Sequence, residues 1–594
     1  MKKFFYLLLG MTLSFSLLNG QNTNPAITAE EIQDHINYLA SDELEGRFTG
    51  SKGERLAGDY IAKEFEYYGL IPMFDGSYFQ EFPFVESVEL TDNNSVLLSI
   101  DGNQNELSVN NDFITLSFSG KSDLKAELVF VGYGITAPMF GYDDYEGINV
   151  NGKVVLAMRH YPDFDSTESK FEKLASLRAK ASTAKGNGAV GIIFMNEHSF
   201  FPRSDEFIPL KYDGAGGMMD FGAAQISREF ADKIFETEGT SYQQVQQKIN
   251  SELVPNSFAI KNTKIELKTE IKEIEKMGRN VAGYLEGNDP ILKNEYIVVG
   301  GHYDHLGYGQ TGSRYTGTPM PIHNGADDNA SGTTGVLETA EKFASIKNQL
   351  KRSIVFVAFS GEELGLLGSN YFANNFPFGI ENTIAMFNMD MIGRVNENSL
   401  TIIGSGTSTL WREIIEKENK YNFKLQLNDD GWGGSDHTAF TLKDIPVLFF
   451  FSGIHMDYHM PSDDPEKINA EQEENVVKFV FDLVSDVDAR DEKPDFVKVK
   501  PQENQMGRSR SKIKIGTVPE FGYNGDGYKL SGVTEGSPAE KAGLLGGDII
   551  IMFNGKDVSN IYDFMNAMGG LKEGETVDCK VLRGEEEKEF NLEL

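Results

Sequence analysis

Tyr296-Ile297-Val298-Val299-Gly300-Gly301-His302-Tyr303-Asp304-His305 is a short β-branched run that stops on two glycines and then delivers a histidine and an aspartate. The run predicts a strand from Tyr296 to Gly300. Outward from it the signals alternate. A helix is expected over Gly335 to Ile346, strands over Ser353 to Phe359 and Thr383 to Met389, a helix over Trp411 to Glu418, and a strand over Pro446 to Phe451. Such alternation predicts an α/β fold on a mixed, mostly parallel sheet flanked by helices. Six of the nine histidines fall between His302 and His459, which marks this stretch as the place to look for chemistry.

The chain has 594 residues, too many for one core, so several domains are expected. Residues 29 to 72 read as two helices, the second ended by Gly69. From about Leu124 the texture becomes β-rich, with Leu128 to Val131, Lys153 to Ala157 and Val190 to Phe194 as strands; this predicts an inserted module over 116–261, splitting a core of 21–115 and 262–486. Residues 487–511 are polar, without apolar periodicity, and are expected to be a linker. The last stretch, 512–594, folds again, with Ile549 to Phe553 as a strand running into an Asn554-Gly555 turn.

Fifty-five Lys+Arg against ninety Asp+Glu give a net charge of −35, which argues against nucleic acid as a partner, because little phosphate charge can be neutralised. The single cysteine, Cys579, excludes a disulfide framework and any Cys-rich metal site. The opening Met1-Lys2-Lys3, followed by apolar residues to Leu18 and then Asn19-Gly20, has the layout of a cleaved secretory leader over 1–20. Export to the periplasm or medium is therefore expected, and no later stretch reaches membrane-spanning length.

Each acidic or histidine element lies just past a strand's C-terminal end, where open parallel sheets bind ligands. His302 and Asp304 follow the first strand, and Asp327-Asp328-Asn329 opens a helix. Glu362-Glu363, Asp390 and Tyr458-His459 follow three further strands. Taken singly, each has an ordinary reading: a hydrogen-bonded His-x-Asp pair, a helix cap, or a solvated acidic pair at a helix start. Together they suit two zinc ions sharing a bridging carboxylate, with one of the adjacent glutamates as base and the other as ligand.

These residues also resemble a family. Gly300 to His305, Gly325-Ala326-Asp327-Asp328-Asn329-Ala330-Ser331-Gly332, Ser360-Gly361-Glu362-Glu363 through Ser369, Asn388-Met389-Asp390-Met391 and Tyr458-His459 resemble the co-catalytic di-zinc aminopeptidases related to aminopeptidase S and glutamate carboxypeptidase. The resemblance implies two Zn2+ per chain: His302 and Asp390 on one, Glu363 and His459 on the other, with Asp328 bridging. It implies Glu362 as general base, Asp304 as partner of His302 and Tyr458 near the developing oxyanion. The reaction it implies is attack of a metal-bridging hydroxide on the first peptide bond of a peptide. Val131-Gly132-Tyr133-Gly134 and Asn151-Gly152-Lys153 resemble a protease-associated insert. Gly536 to Leu544 with Gly547-Asp548-Ile549-Ile550 resembles a PDZ domain, which implies a peptide or protein C-terminus as a partner. Two alternatives stand beside this: a carboxypeptidase for acidic C-termini, for which Arg394 is the basic side chain that stands out, and a non-catalytic partner-binding scaffold.

Overall fold

The computed structural model describes residues 25–164, 169–198, 205–212, 218, 220–499, 515–519, 527–533, 537–558, 564, 567–568, 571, 574–584 and 586–594. The leader reading at 1–20 and most of the loop before Gly527 lie outside them. The chain divides into two compact units. One takes in the chain up to Gln80 with Arg279–Gly453 and Asp457–Val499; the other holds Glu81–Gly278, Ile454–Met456 and the chain from Lys500 onward.

Among the described residues the first unit is built on a nine-stranded mixed sheet. Its centre is four neighbouring strands in the order Ser353–Phe359, Tyr296–His302, Thr383–Met389 and Val447–Phe451, all parallel. Antiparallel pairing with Ile271–Leu285 and Ser399–Ile403 extends the two sides. The central strands are buried almost residue for residue, because helices cover both faces. Alternate side chains of one strand therefore enter different cores. Ile297 and Val299 pack among Ala29–Leu39, Lys52–Tyr68, Gly332–Ser345 and Ala470–Ala489, whereas Val298 joins Phe372 and Phe440 from the short helices Leu367–Asn374 and His437–Thr441. The helix Lys52–Tyr68 starts on Ser51, whose hydroxyl accepts from Glu54 N–H at 3.2 Å, and ends on Gly69 at φ 78°, as the sequence signals predict. Gly301 is required for a different reason: a Cβ there would lie 2.6 Å from Met389 O.

Two boundaries differ from the sequence reading. The inserted module does not begin at 116. Its eight-stranded sheet already enrols Ser95–Ile100, Asn103–Leu107 and Phe113–Thr115, and it closes with Phe258–Thr269, so 95–115 and 262–269 belong to it and not to the core. Strand pairing across long sequence separations decides this, and local patterning does not report it. The linker likewise does not begin at 487. The last core helix runs to Ala489, and the chain beyond is tied down by Asp495, which accepts from Ser408 Oγ (2.7 Å), Thr409 N–H (3.0 Å) and Thr409 Oγ1 (2.9 Å). Val497 N–H then donates to Thr407 O at 2.8 Å.

In the C-terminal part, Ile549–Phe553 pairs with Thr576–Arg583, which pairs with Glu586–Glu593. Asn554 and Gly555, both at positive φ, make the expected turn that pairs Phe553 with Lys556. Cys579 is buried there, its thiol pushed up to about 12 by burial. No helix among the described residues is long and apolar enough to cross a membrane.

Candidate active site

The strand Tyr296–His302 ends on His302, which is 1% exposed. Its Nδ1 lies 3.1 Å from the Asp304 backbone carbonyl, an acceptor, so Nδ1 carries a proton and Nε2 is the nitrogen turned into the site. Nε2 stands 3.4 Å from Asp328 Oδ1 and 3.4 Å from Asp390 Oδ1. Asp390 follows the next parallel strand. Its Oδ2 accepts from Ser435 Oγ at 2.7 Å, and Ser435 accepts from Asn388 Nδ2 at 2.7 Å.

Asp328 lies in the irregular turn Ala326–Ser331 before the helix Gly332–Ser345. The backbone N–H groups of Asp327 and Asp328 both donate to Asp463 Oδ2 at 3.0 Å, which sets the turn. The two neighbouring aspartates then part. Asp327 Oδ1 is occupied by Gly393 N–H (2.7 Å) and Ser331 Oγ (3.1 Å), and Asp328 faces the histidines. Its Oδ2 lies 3.2 Å from His459 Nε2, and that same nitrogen is 3.2 Å from Glu363 Oε2. His459 Nδ1 is 3.0 Å from Gly312 O, which again directs Nε2 inward.

His302, Asp328, Glu363, Asp390 and His459 are thus brought together. Glu362 joins them, its Oε2 4.0 Å from His302 Nε2. Two atoms bound to one zinc at 2.0–2.2 Å in a tetrahedron lie about 3.3–3.6 Å apart, and the spacings above are close to that edge. Oxygen and imidazole donors without sulfur suit zinc as well. The charge balance points the same way. The carboxyl of Glu362 is held well above its usual range, first by burial and then by Glu363, Asp390 and Asp436. His459 is pushed up to about 11 because Glu363 and Asp328 outweigh the opposing effect of burial. A buried anionic cluster that draws protons onto its imidazoles is one that cations would relieve.

Asp304 departs from expectation. Its carboxylate is 3.7 Å from His302 Nδ1, and the imidazole bonds the Asp304 backbone carbonyl instead. The carboxylate braces other chain, accepting from Glu362 N–H at 3.2 Å and from Thr49 Oγ1 at 2.9 Å. Tyr458 stacks on His459 with ring centroids 3.9 Å apart. Burial, then Asp328 and Glu363, hold its hydroxyl well above the usual phenol range, so it remains a donor. His437 is buried against Phe449, 4.6 Å between centroids, and burial lowers it to about 3, the behaviour of a packing residue. Arg394, the basic residue of the carboxypeptidase alternative, donates to Asp457 Oδ2 at 3.2 Å and lies 4.0 Å from Asp463.

Three contributors escaped the sequence reading. His305 Nδ1 is 2.8 Å from Glu363 Oε1, signalled only by the second histidine in His302-Tyr303-Asp304-His305. Ser435 orients Asp390 from a distant loop. Arg47, fully buried, donates to Tyr303 O (2.7 Å), Asn324 O (2.6 Å), Gly325 O (3.0 Å) and Leu39 O, tying together the loops that carry the histidines and Asp328. Burial lowers it only to about 10, with Asp304 and Asp328 opposing, so it is a permanent cation behind the site.

Residues 280–484 match the model of peptidase family M28, and residues 500–594 match that of the PDZ domain. The chain is 23% identical over 380 residues to Aminopeptidase YwaD of Bacillus subtilis (strain 168), spanning 61% of this chain and 70% of that protein. It is 30% identical over 177 residues to Leupeptin-inactivating enzyme 1 of Streptomyces exfoliatus, spanning 30% of this chain and 36% of that protein. Among solved structures, an aminopeptidase from Aneurinibacillus sp. strain AM-1 aligns with a TM-score of 0.45 and 23% identity, covering 80% of this chain and 96% of that one. BSAP, a zinc aminopeptidase from Bacillus subtilis, aligns with a TM-score of 0.43 and 21% identity, covering 80% and 98%.

Proposed function

We propose that the chain, whose residues 280–484 match peptidase family M28 and whose residues 500–594 match the PDZ domain, is a zinc-dependent aminopeptidase that releases the N-terminal residue of peptides. The observation that carries this reading is the split use of Asp328, with Oδ1 toward His302 and Oδ2 toward His459. A carboxylate placed so could give one oxygen to each of two ions. His302 and Asp390 would hold one zinc and Glu363 and His459 the other; bound there, the pair would polarise the scissile carbonyl and acidify a water.

The protein's own groups do the rest. Glu362 takes the proton of the attacking water and returns it to the departing amine. Its backbone is fixed for that exchange by Asp304. Tyr458, kept protonated, is the donor available to a developing oxyanion. Ser435 and Gly312 hold Asp390 and His459 in the orientation the reaction needs. The engagement of Arg394 by Asp457 leaves little support for reading an acidic C-terminus.

The test is turnover of an aminoacyl-anilide panel with and without a zinc chelator. Activity should vanish with the chelator and return with zinc, and chelator-resistant turnover would sink the reading. Glu362→Gln should retain zinc and lose about 10²–10⁴-fold in kcat. The leader supports export, which N-terminal sequencing of the mature protein checks, and the C-terminal domain would take a peptide or protein C-terminus.

A further inference from the structure

His305 lies within reach of Asp328 and Glu363, and by proximity alone these three could form a metal-holding group. The distances separate it from the ligands. Pairs across the site stand at 3.2–3.4 Å, near the edge of a zinc tetrahedron, whereas His305 Nδ1 to Glu363 Oε1 is 2.8 Å, the length of a charge-assisted hydrogen bond. The two oxygens of Glu363 are therefore differently employed. Oε2 faces His459 Nε2, and Oε1 faces His305. An ionised carboxylate only accepts, so the proton is on His305 Nδ1. The ring's Nε2 has no hydrogen-bond partner among the described residues, and its polar function is exercised through Nδ1.

The chain goes to some length to seat this ring. His305 is fully buried, and its backbone N–H donates to Arg47 O at 3.3 Å. Gly325 passes so close that a Cβ there would lie 2.5 Å from the His305 ring and 2.2 Å from Asp328 O. A buried imidazole with one unsatisfied nitrogen costs stability, and its placement is accounted for if Glu363 needs it.

We propose that His305 is a positioning residue for Glu363: its Nδ1–H occupies Oε1, so that the carboxylate offers the metal Oε2 alone. This rests on reading Asp328, Glu363 and His459 as the ligands of one zinc. Holding Glu363 to one oxygen keeps a coordination position open for water and substrate, and partners of this kind typically alter metal affinity by about 10–100-fold.

The experiment uses the full chain as His305→Leu, His305→Asn and, as a control on the ligand reading, His459→Ala. Zinc affinity is measured by competition with a chromophoric chelator, and the visible spectrum is recorded on the cobalt-substituted protein. His305→Leu should weaken one of two zinc sites by about 10–100-fold and spare the other. Cobalt at that site should lose visible intensity as the second oxygen of Glu363 enters its coordination shell. His305→Asn, whose amide puts a donor near the Nδ1 position, should recover most of both. Wild-type affinity and spectrum in His305→Leu would overturn the proposal, and so would His305→Asn behaving as badly as His305→Leu, which would make the ring a direct ligand or a packing element. If His459→Ala still binds two zinc ions, the underlying ligand reading fails. If it loses one while His305→Leu matches wild type, only the role of His305 fails.

Discussion

Glu338 offers a quantitative test of the core that carries the site. It lies on the helix Gly332–Ser345, 1% exposed, with His35 Nε2 3.5 Å away. Burial first, and then Glu31, Glu341 and Glu474, push its carboxyl from 4.5 up to about 9, against a backbone hydrogen bond from Thr28; burial also lowers His35 to about 4. The folded protein therefore keeps the Glu338 proton across a range in which the unfolded chain has released it. A raised carboxyl contributes stability that is complete below pH 4.5 and is lost as pH rises toward 9, at about 1.4 kcal/mol per unit. Over three units this is about 4 kcal/mol. Glu338→Gln keeps the shape and cannot titrate. Its stability relative to wild type should climb by about 1.4 kcal/mol per unit across roughly pH 5.5–8.5, whatever the fixed packing cost of the amide. Urea unfolding followed by tryptophan fluorescence measures this in the right unit, because both tryptophans, Trp411 and Trp432, belong to the first compact unit. Titration of Glu54 is common to both proteins and cancels; that of Glu473, which Glu338 helps to hold up, is removed by making the comparison in a Glu473→Gln background. A difference flat with pH would mean that Glu338 is ionised in the folded state, and would refute the reasoning.

Two further outcomes follow from the site. Ser435→Ala removes the hydroxyl on Asp390 Oδ2 and should weaken the zinc held with His302 by about 10–100-fold, read as residual zinc during chelator titration. Arg47→Met removes four hydrogen bonds to backbone carbonyls and the buried cation facing Asp304 and Asp328, and should destabilise the core by about 3–5 kcal/mol. The same fluorescence-detected unfolding reads it, and an unchanged midpoint would show that Arg47 does not hold those loops together.

The central strands were legible in the sequence because each is a run of apolar residues bounded by glycine or polar loops, and burial on both faces demands that composition. The insert's limits were not legible. Ser95–Ile100 alternates like any surface strand, and only its pairing with Phe258–Thr269 places it outside the core. The end of the core was obscured for a similar reason: Asp495 looks like one more linker charge until its three hydrogen bonds are seen.

What the sequence determined by itself is the inventory of the site: two histidines, the carboxylates and the strand ends that carry them, because a parallel sheet brings the C-terminal ends of neighbouring strands together whatever the intervening loops do. The tertiary structure alone decided which atom meets which. Asp328 and not its neighbour faces the histidines because Asp463, Gly393 and Ser331 claim the other groups of that turn. His302 is held by a backbone carbonyl and not by the Asp304 carboxylate. Glu363 is shared between His459 and His305, one oxygen each. Hydrogen-bond directions of this kind are set by side-chain packing between elements far apart in the chain, and local spacing carries no record of it.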